Sequence, residues 1–266
     1  MKRILCGAVS VWALLFAASL STADAADMPI KPPVAPAPAC VWCGWYVGGN
    51  IGFATTSDNG ILNTGTDTGA AGLGSAIGAG NISSQVPATV DGFIGGGQIG
   101  YDWTFFRSMV VGLVADFDAM SNKKNFNPAP GGGFTTQFDR EADWVSTYRV
   151  RFGDTVLYNT ALIYITAGVA VAEWGISSAC TVCAAPLAGS VLSTSNSITR
   201  AGGAVGAGLE WMVAPHVSVA VEYLYVETAN SASTIAYNYA GPNNSTMTST
   251  ARDGLNILRA DVNWHF

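Results

Sequence analysis

The chain has 266 residues, of which 49% are hydrophobic and only 11% charged, and its formal net charge is −6. An acidic balance argues against nucleic acid as a partner, and a charged fraction far below the usual value of about a quarter argues against a surface that faces water on all sides. Part of the surface is therefore expected to contact lipid.

The N-terminal 43 residues carry the patterns of export and of a linker. Residues 1–25 have a basic start, an apolar run and a cleavage site at Ala23-Asp24-Ala25, which is the pattern of a secretory signal peptide. Its removal takes away two basic residues and one acidic residue and leaves a net charge of −7. Residues 26–43 are rich in Pro and Ala and are expected to form an extended periplasmic segment without a core of its own.

From residue 44 onward, apolar and polar residues alternate, which is the period of a β-strand. The pattern appears in eight segments: 44–54, 90–103, 108–118, 142–153, 159–172, 198–212, 216–227 and 258–266. After the signal no stretch offers the roughly 18 consecutive apolar residues of a membrane helix. A closed β-barrel is the other structure that satisfies every backbone group within a membrane, and an even number of strands suits it.

The lengths of the connections alternate in the way expected of an outer-membrane barrel. Short links fall near 104–107, 153–158 and 213–215, whereas the long links are rich in Gly, Ser, Thr and Asn and fall near 55–88, 119–141, 173–197 and 228–253. Such barrels have short periplasmic turns and long extracellular loops. We therefore predict an all-β fold over residues 44–266: an eight-stranded antiparallel transmembrane up-and-down barrel with both termini in the periplasm and four mobile surface loops.

Charged residues on the inner phase of the strands are the candidates for a functional site. Seven are expected in the periplasmic half of the lumen: Asp102, Arg149, Arg151, Glu210, Glu222, Arg259 and Asp261. Asp116 and Asp118 also take the inner phase of their strand. An eight-stranded barrel is only just wide enough for its own side chains, and an unpaired buried charge is costly. A plug of paired charges is therefore expected, with a selective ion path as the alternative.

Aromatic residues on the lipid-facing phase are expected to form two interfacial girdles. The periplasmic girdle would consist of Trp45, Trp103, Trp211, Trp264 and Phe266. The outer girdle would consist of Phe53, Phe117, Trp174 and Tyr225. In this interpretation the girdles anchor the barrel in the membrane.

Four cysteines form two CxxC pairs, Cys40 with Cys43 and Cys180 with Cys183. This spacing can indicate zinc, but the predicted topology places one pair at the periplasmic entry and the other in the third surface loop, separated by an apolar band of roughly 25 Å. They cannot share one metal, and a local disulfide within each pair is favoured in an oxidising compartment. A thiol redox role for the outer pair lacks a thioredoxin-like pattern. No metal and no cofactor is expected.

Two further patterns could suggest chemistry but have simpler interpretations. The glycines of GFIGGGQIG resemble a dinucleotide fingerprint, which requires a following helix, whereas YDWTFF continues the strand. His216 and His265 are the only histidines. Neither has a clear Ser and carboxylate constellation at the outer rim, where lipopolysaccharide is met. We therefore predict that the protein is not an enzyme.

Six blocks taken together resemble a known family: GWYVGGNIGF, GGGQIGYDW, YRVRFG, VGAGLEW, VSVAVEYLYV and RADVNWHF, in that order. They are similar to the small porin-family outer-membrane β-barrel proteins, surface antigens of Gram-negative bacteria, and the resemblance covers nearly all of the chain after the signal. It implies an architecture related to the opacity proteins and to the barrel of outer membrane protein A. It also implies that Phe266 is the aromatic signal read by barrel-assembly machinery. The CxxC pairs are not part of this family's pattern.

The predicted function is a structural, surface-exposed role in envelope integrity and loop display, and the alternative is a small pore or ligand-uptake barrel. The expected partners are outer-membrane lipid, lipopolysaccharide and an unknown ligand of the loops. Capture of a ligand such as haem gains little support, because the loops lack clusters of His and Tyr apart from Tyr237 and Tyr239.

Overall fold

A computed structural model describes residues 40–57, 60–69, 72–106, 108–128, 132–183, 192–238 and 244–266. The predicted signal peptide, the Pro/Ala-rich segment as far as residue 39, Tyr239 and the side chain of Tyr237 lie outside this description. Within the described ranges, no helix is long and apolar enough to cross a membrane.

The described residues form ten strands and one short helix: β1 Gly44–Thr56, β2 Ile61–Thr68, α1 Leu73–Gly78, β3 Gln85–Val86, β4 Asp91–Phe105, β5 Met109–Phe126, β6 Thr135–Val156, β7 Ala161–Val182, β8 Leu192–Ala214, β9 Val217–Asn238 and β10 Asn244–His265. Eight of the strands, β1 and β4 to β10, pair in antiparallel order, and β1 also pairs with β10. This closure confirms the predicted eight-stranded barrel. We call the closed eight-stranded part the closed ring.

Alternation along each strand separates an outer apolar face from a buried inner face. At the end of β10, Leu258 and Trp264 are 57% and 51% exposed, while Arg259 between them is 1% exposed. Successive side chains of a strand point to opposite faces, and the ring encloses one of those faces. The N–H of Phe266 donates to the carbonyl of Trp45 at 3.0 Å, so β1 starts where β10 ends. We call this the terminal end of the barrel.

The aromatic residues predicted for the terminal end all lie on the outer surface: Trp45, Trp103, Trp211, Trp264 and Phe266. Phe53 and Phe117 are also exposed, and Tyr225 is half-buried. The prediction for Trp174 is wrong, because its side chain is 1% exposed and its Nε1 donates to Thr228 Oγ1 at 3.0 Å. Trp174 has the parity of Tyr164 on β7, which is the inward phase.

The segments predicted as mobile surface loops are mostly strand. Strand β6 already starts at Thr135, β7 runs to Val182, and β9 and β10 extend to Asn238 and from Asn244. Ser, Thr and Asn in these segments alternate with inward apolar residues such as Ile235, so the two-residue period continues beyond the predicted strand ends. The loop prediction is therefore wrong for the greater part of these segments.

At the end opposite the termini, the ring opens into two sheets. Pairing between β8 and β9 stops at Gly202 and Thr228, and β2 replaces β1 beside β10. One sheet consists of the extended ends of β5, β6, β7 and β8, and the other of β9, β10, β2 and β3. We call this part, which consists of the described residues among 60–90, 120–142, 173–201 and 229–253, the head.

The head has its own apolar core, to which both sheets and α1 contribute. Its buried residues are Ile61, Leu73, Ala76, Ile82, Val86, Ala88, Phe134, Phe138, Ile176, Cys180, Cys183, Ile235, Met247 and Ala251. Apolar burial of this kind is the main stabilising contribution to a folded domain. The head is therefore a folded structure and not a set of independent loops.

Asp67 at the end of β2 holds α1 against the head. Its carboxylate accepts hydrogen bonds from the backbone N–H groups of Gly72, Gly74 and Ser75 at 2.6 to 3.0 Å. It also accepts bonds from the hydroxyls of Ser75 at 2.6 Å and Ser245 at 2.7 Å. Partial burial raises the pKa of Asp67, but these hydrogen bonds outweigh it and lower the pKa to about 2.

Candidate functional site

The interior of the closed ring is filled in layers, beginning with an apolar floor at the terminal end. Trp42, Val110, Leu162 and Tyr164 are buried together there. Trp42 Nε1 donates to the carbonyl of Asn159 at 2.9 Å. Residues 40–43, predicted as the end of the extended segment, thus contribute to the floor. Trp42 stands between two cysteines that are joined by a disulfide.

Above the floor, Arg151 forms the first of two charge clusters. Its Nε donates to Asp102 Oδ1 at 2.9 Å, and its Nη1 donates to Glu210 Oε2 at 2.7 Å. The guanidinium also lies over the rings of Tyr46 and Tyr164, at 4.9 and 5.2 Å from their centroids. Two carboxylates and two aromatic faces therefore surround one buried cation, which is a favourable environment for a desolvated guanidinium.

The second cluster joins two arginines through shared carboxylates. Arg149 binds Asp116 at 2.7 Å and Glu222 at 2.6 Å. Arg259 binds the same two carboxylates at 3.1 and 2.6 Å, and it binds Asp118 at 2.7 Å. Because the acceptors are shared, neither arginine can leave without exposing carboxylates to an apolar interior.

All seven charged residues predicted for the lumen lie buried in these two clusters: Asp102, Arg149, Arg151, Glu210, Glu222, Arg259 and Asp261. Asp261 is 3.5 Å from Arg259 Nε. The sequence-based network omitted Asp116 and Asp118, although both were assigned to the inner face. Their two-residue spacing opposite Thr147 and Val145 of β6 is the signal that identifies them. Six carboxyl groups therefore surround three guanidinium groups.

The side chains of the clusters line a small cavity. A cavity of about 10 Å³ lies among residues that include Tyr46, Gln98, Arg149 and Glu222. A space of this size holds about one water molecule. It is far too small for a hydrated ion path.

An apolar layer follows the charge clusters, and the sequence analysis did not predict it. It consists of Ala54, Ile94, Ala142, Val145, Ala170, Ala172, Trp174, Ala204, Leu224, Val226, Leu255 and Ile257. These side chains come from all eight strands of the closed ring except β5, from which Met120 packs against them. The layer closes the lumen with side chains that offer a solute almost no polar group.

A buried ion pair separates this apolar layer from the core of the head. Arg140 of β6 lies 3.4 Å from Asp253 of β10 and donates to the carbonyls of Ala88, at 3.2 Å, and Arg252. Its guanidinium is 5.5 Å from the ring of Trp174. One side chain thus connects two strands and the segment before β4, where the closed ring meets the head.

A Ser, a His and a carboxylate do meet in the structure, but at the terminal end. His265 Nε2 is 2.9 Å from Ser218 Oγ and 3.4 Å from Glu210 Oε1. All three side chains are buried. In a catalytic relay the two ring nitrogens face different partners, whereas here one nitrogen faces both. The arrangement extends the Arg151 cluster and lacks the geometry of an acyl-transfer site.

Each CxxC pair is joined by a disulfide, with Cα separations of 5.5 Å for Cys40 and Cys43 and 6.0 Å for Cys180 and Cys183. The second pair was predicted in a surface loop, but both of its cysteines are buried in the core of the head. In the described part of the chain, no group of three or more His, Cys, Asp and Glu side chains is placed to hold a metal ion.

Comparisons with known proteins match this chain to a family of outer-membrane proteins and to individual outer-membrane proteins. A family described as outer membrane protein beta-barrel domain matches residues 12–266. A 31 kDa outer-membrane immunogenic protein of Brucella melitensis is 27% identical over 228 residues, which cover 85% of this chain and 87% of the relative. Among solved structures, OprG from Pseudomonas aeruginosa gives a TM-score of 0.44 at 15% identity, covering 85% of this chain and 98% of OprG. Ail of Yersinia pestis gives 0.33 at 11%, covering 81% of this chain and 99% of Ail.

Proposed function

From the premise that this chain belongs to the outer membrane protein beta-barrel domain family, we propose that it is a sealed membrane anchor that holds a folded head at the cell surface. Its membership confirms the predicted class of protein. The proposal adds two finer statements, that the barrel conducts no solute and that its function resides in anchoring and in the surface of the head.

The observation that carries this proposal is the stack of closed layers inside the ring. A solute would have to pass the floor around Trp42, two charge clusters and the apolar layer around Trp174. An ion in the apolar layer would lose its hydration shell, at a cost that is still several kcal/mol after relaxation. A barrel closed in this way serves as a membrane anchor for the head and not as a pathway for solutes.

The proposed orientation places both termini in the periplasm and the head outside the cell. The connections at the terminal end are short, with three residues between β4 and β5, four between β6 and β7 and two between β8 and β9, as periplasmic turns are in this class of barrel. The exposed apolar faces, including Ile51, Val169 and Leu258, would contact lipid and lipopolysaccharide. The exposed Phe266 would be available to the barrel-assembly machinery. These contacts are the means by which the protein would support envelope integrity.

Single-channel recording in a planar bilayer tests the seal. We expect the refolded wild-type protein to give no steady current. An Arg149→Ala, Arg151→Ala variant is also expected to be silent, because the floor and the apolar layer remain, whereas adding Trp42→Ala, Trp174→Ala and Leu224→Ala should allow current. Leu209→Ala, on the lipid-facing side, is the matched control and should stay silent.

Steady wild-type current would contradict the anchor proposal and favour the alternative, a small pore or uptake barrel. The charge clusters would then act as its selectivity filter. Heat-modified migration on gels, measured for each variant, separates a leak through a folded barrel from a folding defect.

A further inference from the structure

A cleft opens in the head where β8 and β9 part. Above Gly202 and Thr228 the strands no longer pair with each other, although β8 stays paired with β7 and β9 with β10. We call the space between residues 192–201 of β8 and 229–238 of β9 the cleft. The amide of Asn196 donates across it to the carbonyl of Ala232 at 3.0 Å. Among the described residues, each of the two strands therefore has one edge without a neighbouring strand.

The inner face of β8 is poorly covered along the cleft. Thr194, Asn196 and Ile198 remain half-exposed on the side that faces the interior of the head. The inward residues of the adjacent strand, Ile176 and Cys180 on β7, are fully buried. A ligand that buried the inner face of β8 to the same extent as that of β7 would have to enter through the cleft.

The two strands that line the cleft, and the neighbouring strand β7, also carry buried polar atoms without hydrogen-bond partners among the described residues. These are Ser178 Oγ on β7, Arg200 Nε on β8 and Ser233 Oγ on β9. Ser178 and Ser233 are 1% and 2% exposed. Native proteins leave few buried polar groups unsatisfied, and those that remain call for an explanation. A ligand that supplies hydrogen-bond acceptors to these groups would explain why they are unsatisfied.

The edge of β8 along the cleft differs from the other edge of its sheet, which is formed by β5 and carries lysines. On β5, Lys123 binds Glu141 at 2.9 Å and Lys124 binds Asp91. Lysine on an edge strand is a known protection against pairing with another chain. Residues 192–199 and 229–238 contain no charged residue, no proline and no glycine. Arg200 is the charged residue of the cleft and lies at its end beside Gly202, so the rest of both edges lacks the features that protect an edge from strand addition.

We propose that the cleft is a docking site for one extended, uncharged strand of a partner protein. The strand adds to the free edge of β8 by main-chain hydrogen bonds and replaces the bond between Asn196 and Ala232. Its alternate side chains, which carry the amide or hydroxyl oxygens of Asn, Gln, Ser or Thr, accept a hydrogen bond from Ser233. Because the partner is outside the cell, this proposal rests on the proposed orientation of the head. It does not depend on the proposal that the lumen is sealed.

Fluorescence anisotropy with the refolded full-length mature chain in micelles tests the site. The probe is a labelled synthetic peptide that copies residues 229–238, because the preceding part of β9 already pairs with β8. We expect saturable binding. Thr194→Lys, which places a charge on the inner face of the edge, should weaken it at least about tenfold, or about 1.4 kcal/mol. Ser193→Lys, the matched control on the outer face of the same strand, should bind as the wild type does.

A second variant closes the cleft. Asn196→Cys with Ala232→Cys, joined by a short bifunctional crosslinker, should abolish binding, and the same variant without the crosslinker should bind. Absence of binding to the folded wild type, equal loss in both lysine variants, or binding to the crosslinked form would overturn the proposal. A wild-type dimer that the peptide dissociates would also overturn it, since the occupant would be a second copy of the chain. The conductance measurement does not depend on whether the peptide binds. Failure of this proposal is therefore distinguishable from failure of the sealed anchor.

Discussion

The closed ring and the head fill their interiors with different chemistry, although the same strands build both. In the closed ring, three arginines and six carboxyl groups form two connected clusters. In the head, the two sheets and α1 enclose an apolar core, and the buried pair of Arg140 and Asp253 lies where this core meets the ring. Ion pairs are directional and need partners at fixed positions, which a continuous hydrogen-bonded ring provides. Two sheets that no ladder of backbone hydrogen bonds joins are better held together by apolar burial, which is not directional.

This comparison predicts that the largest loss of stability follows from breaking a charge cluster. Arg259→Ala would leave the buried Asp118 without its arginine and would leave Asp116 and Glu222 with Arg149 alone. Removing one partner of a buried ion pair typically costs about 3–5 kcal/mol, so we expect a loss of at least that size in the free energy of unfolding by urea in micelles.

Lys123→Ala is the matched control, because it breaks an exposed ion pair with Glu141. Exposed pairs contribute about 0–1 kcal/mol. Equal effects of the two variants would mean that the clusters in the ring are not the stabilising feature described above.

The next effect is expected from the core of the head. Ile176→Ala removes a fully buried side chain from this core, and such a change costs about 2–5 kcal/mol. We expect the loss to be confined to the head, with faster amide hydrogen exchange in β6 and β7 above the ring and unchanged exchange near the terminal end.

Ile165→Ala on the same strand provides the control, because its side chain is exposed on the outer face of the ring. Lipid can fill the space left by its lost methyl groups, so the change in exchange should be small. If Ile176→Ala loosened the ring and the head equally, they would be one cooperative unit and the comparison would be incorrect.

The sequence was informative where one face of a strand is apolar and the other is not. Leu258 and Arg259 show the contrast clearly, and the eight strands of the closed ring were found by it. Trp174 could have been placed correctly by the same rule, since it shares the parity of Tyr164. It was assigned to the lipid face because it is aromatic, without regard to its inward position in the alternation of the strand.

Other features could not be read from alternation. In the apolar layer both phases of a strand are apolar, as in Leu224-Tyr225-Val226, so the inner face is not distinguishable by hydropathy. In the head, small hydroxyl residues obscure the period, and long polar segments are also typical of mobile loops. The replacement of β1 by β2 beside β10 depends on a pairing between residues about 180 positions apart, which no local pattern specifies.

The smallest predicted effect is a pH dependence that belongs to the head alone. Hydrogen bonds lower the pKa of Asp67 from 3.8 to about 2. A group whose pKa is lower in the folded state stabilises that state above its unfolded pKa, and the contribution is lost as the pH falls through the folded pKa. We therefore expect exchange of the amides of α1 to accelerate between pH 4 and pH 2.

Asp67→Asn should remove most of this dependence, because the amide cannot titrate, while making α1 less protected at neutral pH. Asp154, exposed at the terminal end, supplies the control, and Asp154→Asn should leave the response of α1 intact. A response of α1 that persisted in Asp67→Asn would place the titrating group elsewhere. The directional carboxylate contacts of the head would then not be needed to hold α1, and apolar burial alone would account for its position.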